Sequence, residues 1–116
     1  MVNHKDTSDK VVLQLYGVLQ VFKDINPNMS VQQVMAFLMV HLHEGASLKE
    51  LADLQDMKVP TLSRILIDLG FRNRRMEVGH NIVESRQDPM ELRKNQYTLS
   101  KRGHYIIDKI VKKLGA

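Results

Sequence analysis

Apolar residues recur at helical spacing in five stretches of this chain and alternate with polar residues in one more, with turn chemistry between them. The first stretch is the densest. Between Val11 and Ile25, ten of fifteen positions are apolar. It predicts a helix from Thr7 or Ser8 to Ile25, ended by Asn26-Pro27-Asn28, because proline cannot continue the hydrogen-bond ladder and asparagine favours turns. Residues 1–6 read as loose. Val11, Leu15, Val18, Phe22 and Ile25 form one line along the helix, and Val12, Tyr16 and Leu19 a neighbouring one. A single buried stripe needs about half as many apolar positions. Either this helix threads the middle of a monomer's core or a second copy of the chain covers it. The small size of the chain favours the second copy.

Ser30 and Gln33 form a capping box that opens a second helix, with Val34, Phe37, Leu38, Val40, His41 and Leu42 at helical spacing. Glu44-Gly45-Ala46 stops it. Ser47 with Glu50 is a second box, starting a short helix that carries Leu48, Leu51, Ala52 and Leu54. Residues 55–58 make a turn. Pro60 then sits where a first-turn proline is tolerated, ahead of a helix over Thr61 to Leu69. That helix buries Leu62, Ile65, Leu66 and Leu69 and leaves Thr61, Ser63, Arg64 and Asp68 outward. Residues 82–84 and 93–99 read as two short strands, joined by a charged tip containing Asp88-Pro89. Tyr97 and Leu99 alternate with Gln96 and Thr98, the period of a half-buried strand. Ser100 caps a last helix from Lys101 to Leu114, with Ile106, Ile107, Ile110, Val111 and Leu114 on its apolar face.

The order is helix, helix, short helix, turn, helix, hairpin, helix: a mainly α fold with a small β-hairpin wing, in which a helix-turn-helix precedes the wing. Ala52 is small where the second helix of the motif must cross, Met57 plugs the turn, and Leu62 and Ile65 pack back. Asp56 stands where such turns usually carry glycine.

Residues 30–103 resemble the MarR family of winged-helix transcription regulators. The most specific stretch is Asn81 to Gly103, N-I-V-E-S-R-Q-D-P-M-E-L-R-K-N-Q-Y-T-L-S-K-R-G. Wings of that family commonly read G-L-V-E-R…D-P-x-D-x-R-x-x-x-L-x-L-T-x-x-G, and the spacing matches without a gap. Glu91 falls at the acidic position of the D-x-R signature and Arg93 at its arginine. Leu99-Ser100-Lys101-Arg102-Gly103 matches L-T-x-x-G. Glu for Asp, Tyr97 for Leu and Ser100 for Thr are mild departures. Two others are larger. Residues 73–80 look like an insertion, which would either lengthen the recognition helix or add a basic loop. One helix follows the wing where members usually have two. The resemblance implies one winged-helix domain over 1–116, with residues 7–25 and 101–114 as dimerisation helices and 30–99 reading DNA. Val11, Leu15, Val18, Phe22, Ile106, Ile110 and Leu114 would form the dimer interface.

Charge fits that picture. The chain has 17 Lys and Arg against 13 Asp and Glu, net +4. Residues 1–57 are net −3, residues 58–102 net +5 and residues 103–116 net +2. A positive field confined to one stretch suits a polyanion, although a solvated basic face would look the same. On the recognition helix, Pro60, Thr61, Ser63 and Arg64 are the candidate contacts, since hydroxyls bond phosphates or base edges and arginine pairs guanine at two points. In the wing, Arg93 resembles the family's minor-groove arginine, with Glu91 holding its guanidinium. Arg86 and Lys94 are candidate phosphate contacts. Lys58, Arg72, Arg74 and Arg75 are either further phosphate contacts or a solubilising cluster.

Other chemistries find little support. There is no cysteine, hence no disulfide, thiolate nucleophile or Cys-bound zinc. His41 and His43 are two apart on a helix and point to different faces, while His4, His80 and His104 are far apart in sequence, so no metal site is expected. No glycine-rich phosphate loop, nucleophile–base pair or paired carboxylates suggest an enzyme or a cofactor. No apolar run approaches the ~18–20 residues that span a bilayer, and residues 1–10 lack a signal segment, so a cytoplasmic protein of bacterial or phage-like context is expected. The expectation is a homodimer regulating transcription from a pseudo-palindromic duplex site. A small-molecule effector is allowed but not predicted, since aromatic residues are only 5% and no ligand-binding group stands out. The alternatives are a winged-helix protein–protein interaction module or a non-specific DNA-binding accessory protein.

Overall fold

The computed structural model describes residues 4–72, 75–87, 89–90 and 94–115, with the backbone alone at positions 4 and 5. Among the described residues the order is α1 (His4–Ile25), α2 (Val31–Leu42), β1 (Ala46–Ser47), α3 (Leu48–Leu54), α4 (Val59–Leu69), β2 (Val83–Gln87), β3 (Asn95–Leu99) and α5 (Lys101–Lys113). They fall into two compact units. Residues 30–104 form the larger; the described parts of 1–29 and 105–116 form the smaller. No helix among the described residues is long and apolar enough to cross a membrane.

The larger unit is the winged helix-turn-helix. Both capping boxes are formed. Gln33 N–H donates to Ser30 Oγ at 3.1 Å and Glu50 N–H to Ser47 Oγ at 3.2 Å, and each Gln33 or Glu50 side chain reaches back to its cap N–H. These bonds satisfy donors that a helix start otherwise leaves open. Helix α2 packs on α4 and β3, and α3 on α4. The core between them comprises Phe37 and Val40, Leu51 and Ala52, and Leu62, Leu66 and Leu69, all buried. Ile65, expected inside, is half-buried. Ala52 is 1% exposed: a larger side chain there would push α4 away.

Several boundaries differ from the sequence reading, and α5 ends at Lys113 rather than Leu114. Helix α1 begins at His4 rather than Thr7 or Ser8. Nothing in that stretch breaks a helix, and Asp6 in the first turn complements the helix dipole. Helix α4 begins at Val59, which puts Pro60 inside its first turn and Lys58 at the N-cap. The wing strands are Val83–Gln87 and Asn95–Leu99, not 82–84 and 93–99. Their register runs from Val83↔Leu99 to Gln87↔Asn95. Backbone pairing persists where the solvated side chains no longer alternate. Strand β1 has no strand signal in the sequence, where Glu44-Gly45-Ala46 and Ser47 read as a helix stop and a cap. Two residues suffice to pair Ala46 with Tyr97 and Ser47 with Gln96, giving a three-stranded sheet of order β1-β3-β2.

In the smaller unit, Val21, Phe22, Ile106, Ile107 and Ile110 are buried. The rest of α1's apolar surface is not. Val11, Val12, Leu13, Leu15, Tyr16 and Leu19 are each half exposed or more, and Tyr105, Val111 and Leu114 of α5 are exposed as well.

Candidate nucleic-acid interface

The turn between α3 and α4 fixes how α4 is presented. Met57 N–H donates to Ala52 O at 3.0 Å and Gln55 N–H to the same carbonyl at 3.2 Å. Asp56 adopts φ 49°, the left-handed conformation that its place in the motif required. Met57 is half-buried in the turn. Helix α4 then emerges with Leu62, Leu66 and Leu69 inward, so the opposite face is open. Lys58, Pro60, Thr61 and Arg64 are exposed and Ser63 is half-buried. The first turn of α4 has no acidic residue, and Lys58 makes no side-chain cap bond. The positive end of the helix dipole is therefore unopposed where Lys58 adds a charge.

Residues 70–82 turn from α4 into the wing. Helix α4 stops at Leu69, and the described residues of the insertion, 75–80, are not helical. His80 N–H donates to Asp68 O, Asn81 N–H to Gly70 O and Ile82 N–H to Leu69 O, at 3.1, 2.9 and 2.9 Å. These bonds close the loop at its base. Arg72 pairs with Val78 in a bridge, donates from Nη1 to Met76 O at 3.0 Å, and lies 5.3 Å from the Phe71 ring centroid. Its guanidinium thus orders its own loop. Arg75 is exposed. Burial pushes the His80 imidazole below its ordinary pKa; the Asp68 carboxylate opposes that shift and the Arg102 guanidinium adds to it.

In the wing, Arg86 is exposed on β2 opposite Gln96, and Lys94 is exposed just before β3. Burial raises the Tyr97 hydroxyl above its ordinary pKa, with a hydrogen bond from the Asn95 side chain opposing it. Between α4 and the sheet lies an open groove of about 680 Å³ whose lining includes Ser63, Ile67, Arg72, Glu84, Arg86 and Tyr97. The groove carries cations from both the loop and the wing at one edge of α4. Arg74, Asp88, Glu91 and Arg93 lie outside the described residues.

The root of the wing is locked to α5. Ser100 Oγ donates to Asn81 O at 2.7 Å and accepts from Gly103 N–H at 3.0 Å, while Ser100 N–H donates to Ile82 O at 3.2 Å. Gly103 lies against the Ile82 carbonyl so closely that a Cβ there would collide with it. The glycine of L-T-x-x-G is thus a matter of close approach, not of backbone angle.

Lys58, Pro60, Thr61 and Arg64 are exposed, and the structure brings Ser63, Arg72 and Arg86 together on the lining of one groove. Of the expected interface residues, Val11, Leu15 and Leu114 are exposed, Val18 is half-buried, and Phe22, Ile106 and Ile110 are buried within the single chain. Sequence reasoning did not connect His104 with α2. The fold brings its Nε2 to 3.4 Å from Glu44 Oε1, a proximity that no local spacing encodes.

No family model and no curated protein matches the chain. Solved structures do. MarR superposes with a TM-score of 0.63 at 23% identity, over 97% of this chain and 77% of that one. A MarR family transcription regulator superposes with 0.62 at 26% identity, over 87% of this chain and 58% of that one. MepR of S. aureus, in its complex with DNA, superposes with 0.70 at 14% identity, over 96% and 81%. The chain spans less than two-thirds of the second of these. In its order of elements, helix-turn-helix and wing, the chain is a winged-helix protein with the fold of the MarR-family transcription regulators.

Proposed function

We propose that the chain is a sequence-specific duplex-DNA-binding regulator of transcription that acts as a homodimer on a pseudo-palindromic site. The observation that carries the reading is the outward face of α4, where Thr61 and Arg64 stand exposed behind the cationic, acid-free first turn at Lys58. A helix so presented can enter a major groove, with Arg64 placed to pair a guanine and Thr61 and Ser63 to bond phosphate or base edges. Arg86 and Lys94, exposed on the wing, would contact a flanking phosphate strand, and Arg93 and Glu91 are assigned to the minor groove by the wing motif. The neighbour solved with DNA supports the same use of the fold.

The exposed apolar surface of the smaller unit supports the dimer. Two adjoining apolar lines on α1, Val11 with Leu15 and Val12 with Tyr16 and Leu19, stay exposed in the single chain, and Leu114 of α5 is exposed too. A contiguous apolar face of this kind marks an association surface. A pseudo-palindromic site would need the two α4 helices of such a dimer about 34 Å apart, one turn of DNA. Phe22, Ile106 and Ile110 then support the interface from beneath, since they are already covered.

Selection of bound duplexes from a random pool tests specificity and symmetry together. An enriched inverted repeat with half-sites one helical turn apart is expected. Enrichment of no sequence would leave only a non-specific DNA-binding accessory role. The interaction-module alternative draws on Phe71, Met76 and Val78, exposed apolar side chains on the loop beside α4. It would be favoured by failure to bind any duplex at low salt.

A further inference from the structure

We propose that His41, Glu44 and His104 form a binding site for a divalent transition-metal ion of the zinc class, separate from the DNA-facing surface. Each residue offers one donor atom, and the three atoms all lie within 4.8 Å of one another. His104 Nε2 and Glu44 Oε1 are 3.4 Å apart. Zinc bonds of 2.0–2.1 Å in a tetrahedral shell put neighbouring donors about 3.3 Å apart, so this pair already spans one edge of such a shell. Binding would need the His41 donor drawn in from no more than 4.8 Å. Two imidazoles and a carboxylate are the donor set that suits zinc, cobalt or nickel, and the shell is completed by water.

The backbone under the three donors is fixed independently. His41 is in the last turn of α2, and Glu44 follows in the turn that leaves it. That turn is anchored on both sides of Glu44: His43 N–H donates to Met39 O at 3.0 Å and Gly45 N–H to Tyr97 O at 2.8 Å. Gly45 takes φ 92°, which lets the chain reverse there. His104 N–H donates to Ser100 O at 3.0 Å in the first turn of α5, next to the glycine pressed against Ile82. A site needs donors held in place before the ion arrives, and these bonds hold them.

A second observation points the same way. His41 Nδ1 is buried and has no hydrogen-bond partner. Buried polar atoms are ordinarily paired, so an orphan imidazole nitrogen on one of the three clustered residues calls for an unseen partner. The rival explanation is a plain surface ion pair between Glu44 and protonated His104. It accounts for the 3.4 Å contact and leaves His41 unexplained.

The test titrates the metal-free full chain with cobalt(II) and follows its visible absorption, then displaces cobalt with zinc. One equivalent per chain is expected, with the intense bands of a four-coordinate ion. His41→Gln and His104→Gln should each weaken binding by more than about a hundredfold, beyond the roughly 10–100-fold that loss of an outer-shell partner costs. His4→Gln and His43→Gln should leave it unchanged. Glu44 and His104 are exposed, so Glu44→Gln and His104→Gln test the site without risk to the fold. The proposal is overturned if the wild-type chain takes up no stoichiometric cobalt or zinc. It is equally overturned if uptake survives all three ligand substitutions. Neither result touches the DNA-binding reading, which rests on other residues.

Discussion

Helix propensity treats Gly17 in α1 and Gly103 in α5 alike. Both are helical, and alanine is better than glycine in a helix interior by about 0.8–1.0 kcal/mol. The structure separates them. A Cβ on Gly17 would meet only Lys113 Cδ, at 3.4 Å, and a lysine stem moves aside readily. Gly17→Ala should therefore stabilise by about 0.5–1 kcal/mol. A Cβ on Gly103 would overlap the Ile82 carbonyl oxygen, with Leu99 Cβ at 3.1 Å and Ile82 C at 3.2 Å. Backbone cannot swing away as a side chain does. Moving that carbonyl breaks its 3.2 Å bond from Ser100 N–H and disturbs the neighbouring Ser100–Asn81 bond. Overpacking costs about 1–3 kcal/mol and a lost backbone bond about 1 kcal/mol. Against the propensity gain, Gly103→Ala should destabilise by about 1–3 kcal/mol. Urea unfolding followed by far-ultraviolet circular dichroism measures both variants. With a slope of about 1–3 kcal/mol per molar, Gly103→Ala should lower the midpoint by roughly 0.5–2 M while Gly17→Ala raises it. If Gly103→Ala unfolds at or above the wild-type midpoint, the close approach of α5 to the wing root is wrong.

Asp56→Gly should raise stability by about 0.5–1 kcal/mol, because the left-handed φ of 49° strains any residue with a Cβ; a lower urea midpoint would contradict the turn geometry. Burial lowers the pKa of His80 below its value in the unfolded chain, so the unfolded state binds the proton more readily. His80 thus contributes nothing to the pH dependence well above pH 6.5 and lowers stability as pH falls through 6.5 towards its folded pKa. His80→Gln should flatten the loss of urea midpoint between pH 7.5 and pH 5.5, and an unchanged pH dependence would remove the assignment. Leu15→Glu puts a charge on the exposed apolar face of α1 and should give a 13.4 kDa monomer by sedimentation. A wild-type chain already monomeric at micromolar concentration would count against the dimer.

The elements with local chemical signatures were legible in the sequence. Ser30 with Gln33 and Ser47 with Glu50 are boxes that specify helix starts by themselves, and both formed as read. Asp56 was recognisable as a strained substitute for glycine because the helix-turn-helix spacing fixes where the left-handed residue falls. Features set by pairing were less visible. Strand β1 has two residues and no period; it exists because Tyr97 and Gln96 offer an open edge beside it. The far half of β2, Ser85 to Gln87, is polar on both faces, so only its register with β3 defines it. The outward face of α4 could be read because Leu62, Leu66 and Leu69 mark its inner side. The gathering of His41, Glu44 and His104 could not, since it depends on where α5 starts relative to α2 within the larger unit. The apolar lines of α1 were legible from their spacing, but only the structure shows that Phe22 is covered by its own chain while Leu15 is not.

The central claim is that the exposed face of α4 and the basic wing grip duplex DNA, and the salt dependence of binding tests it most directly. Titration with a duplex at several salt concentrations should show tight binding at low salt that weakens linearly in log–log form, as displaced counterions require. Arg86→Ala should reduce the slope by about one, and Arg64→Ala should cost about 1–3 kcal/mol on a preferred sequence. Absence of binding at low salt, or affinity indifferent to salt, would contradict the account.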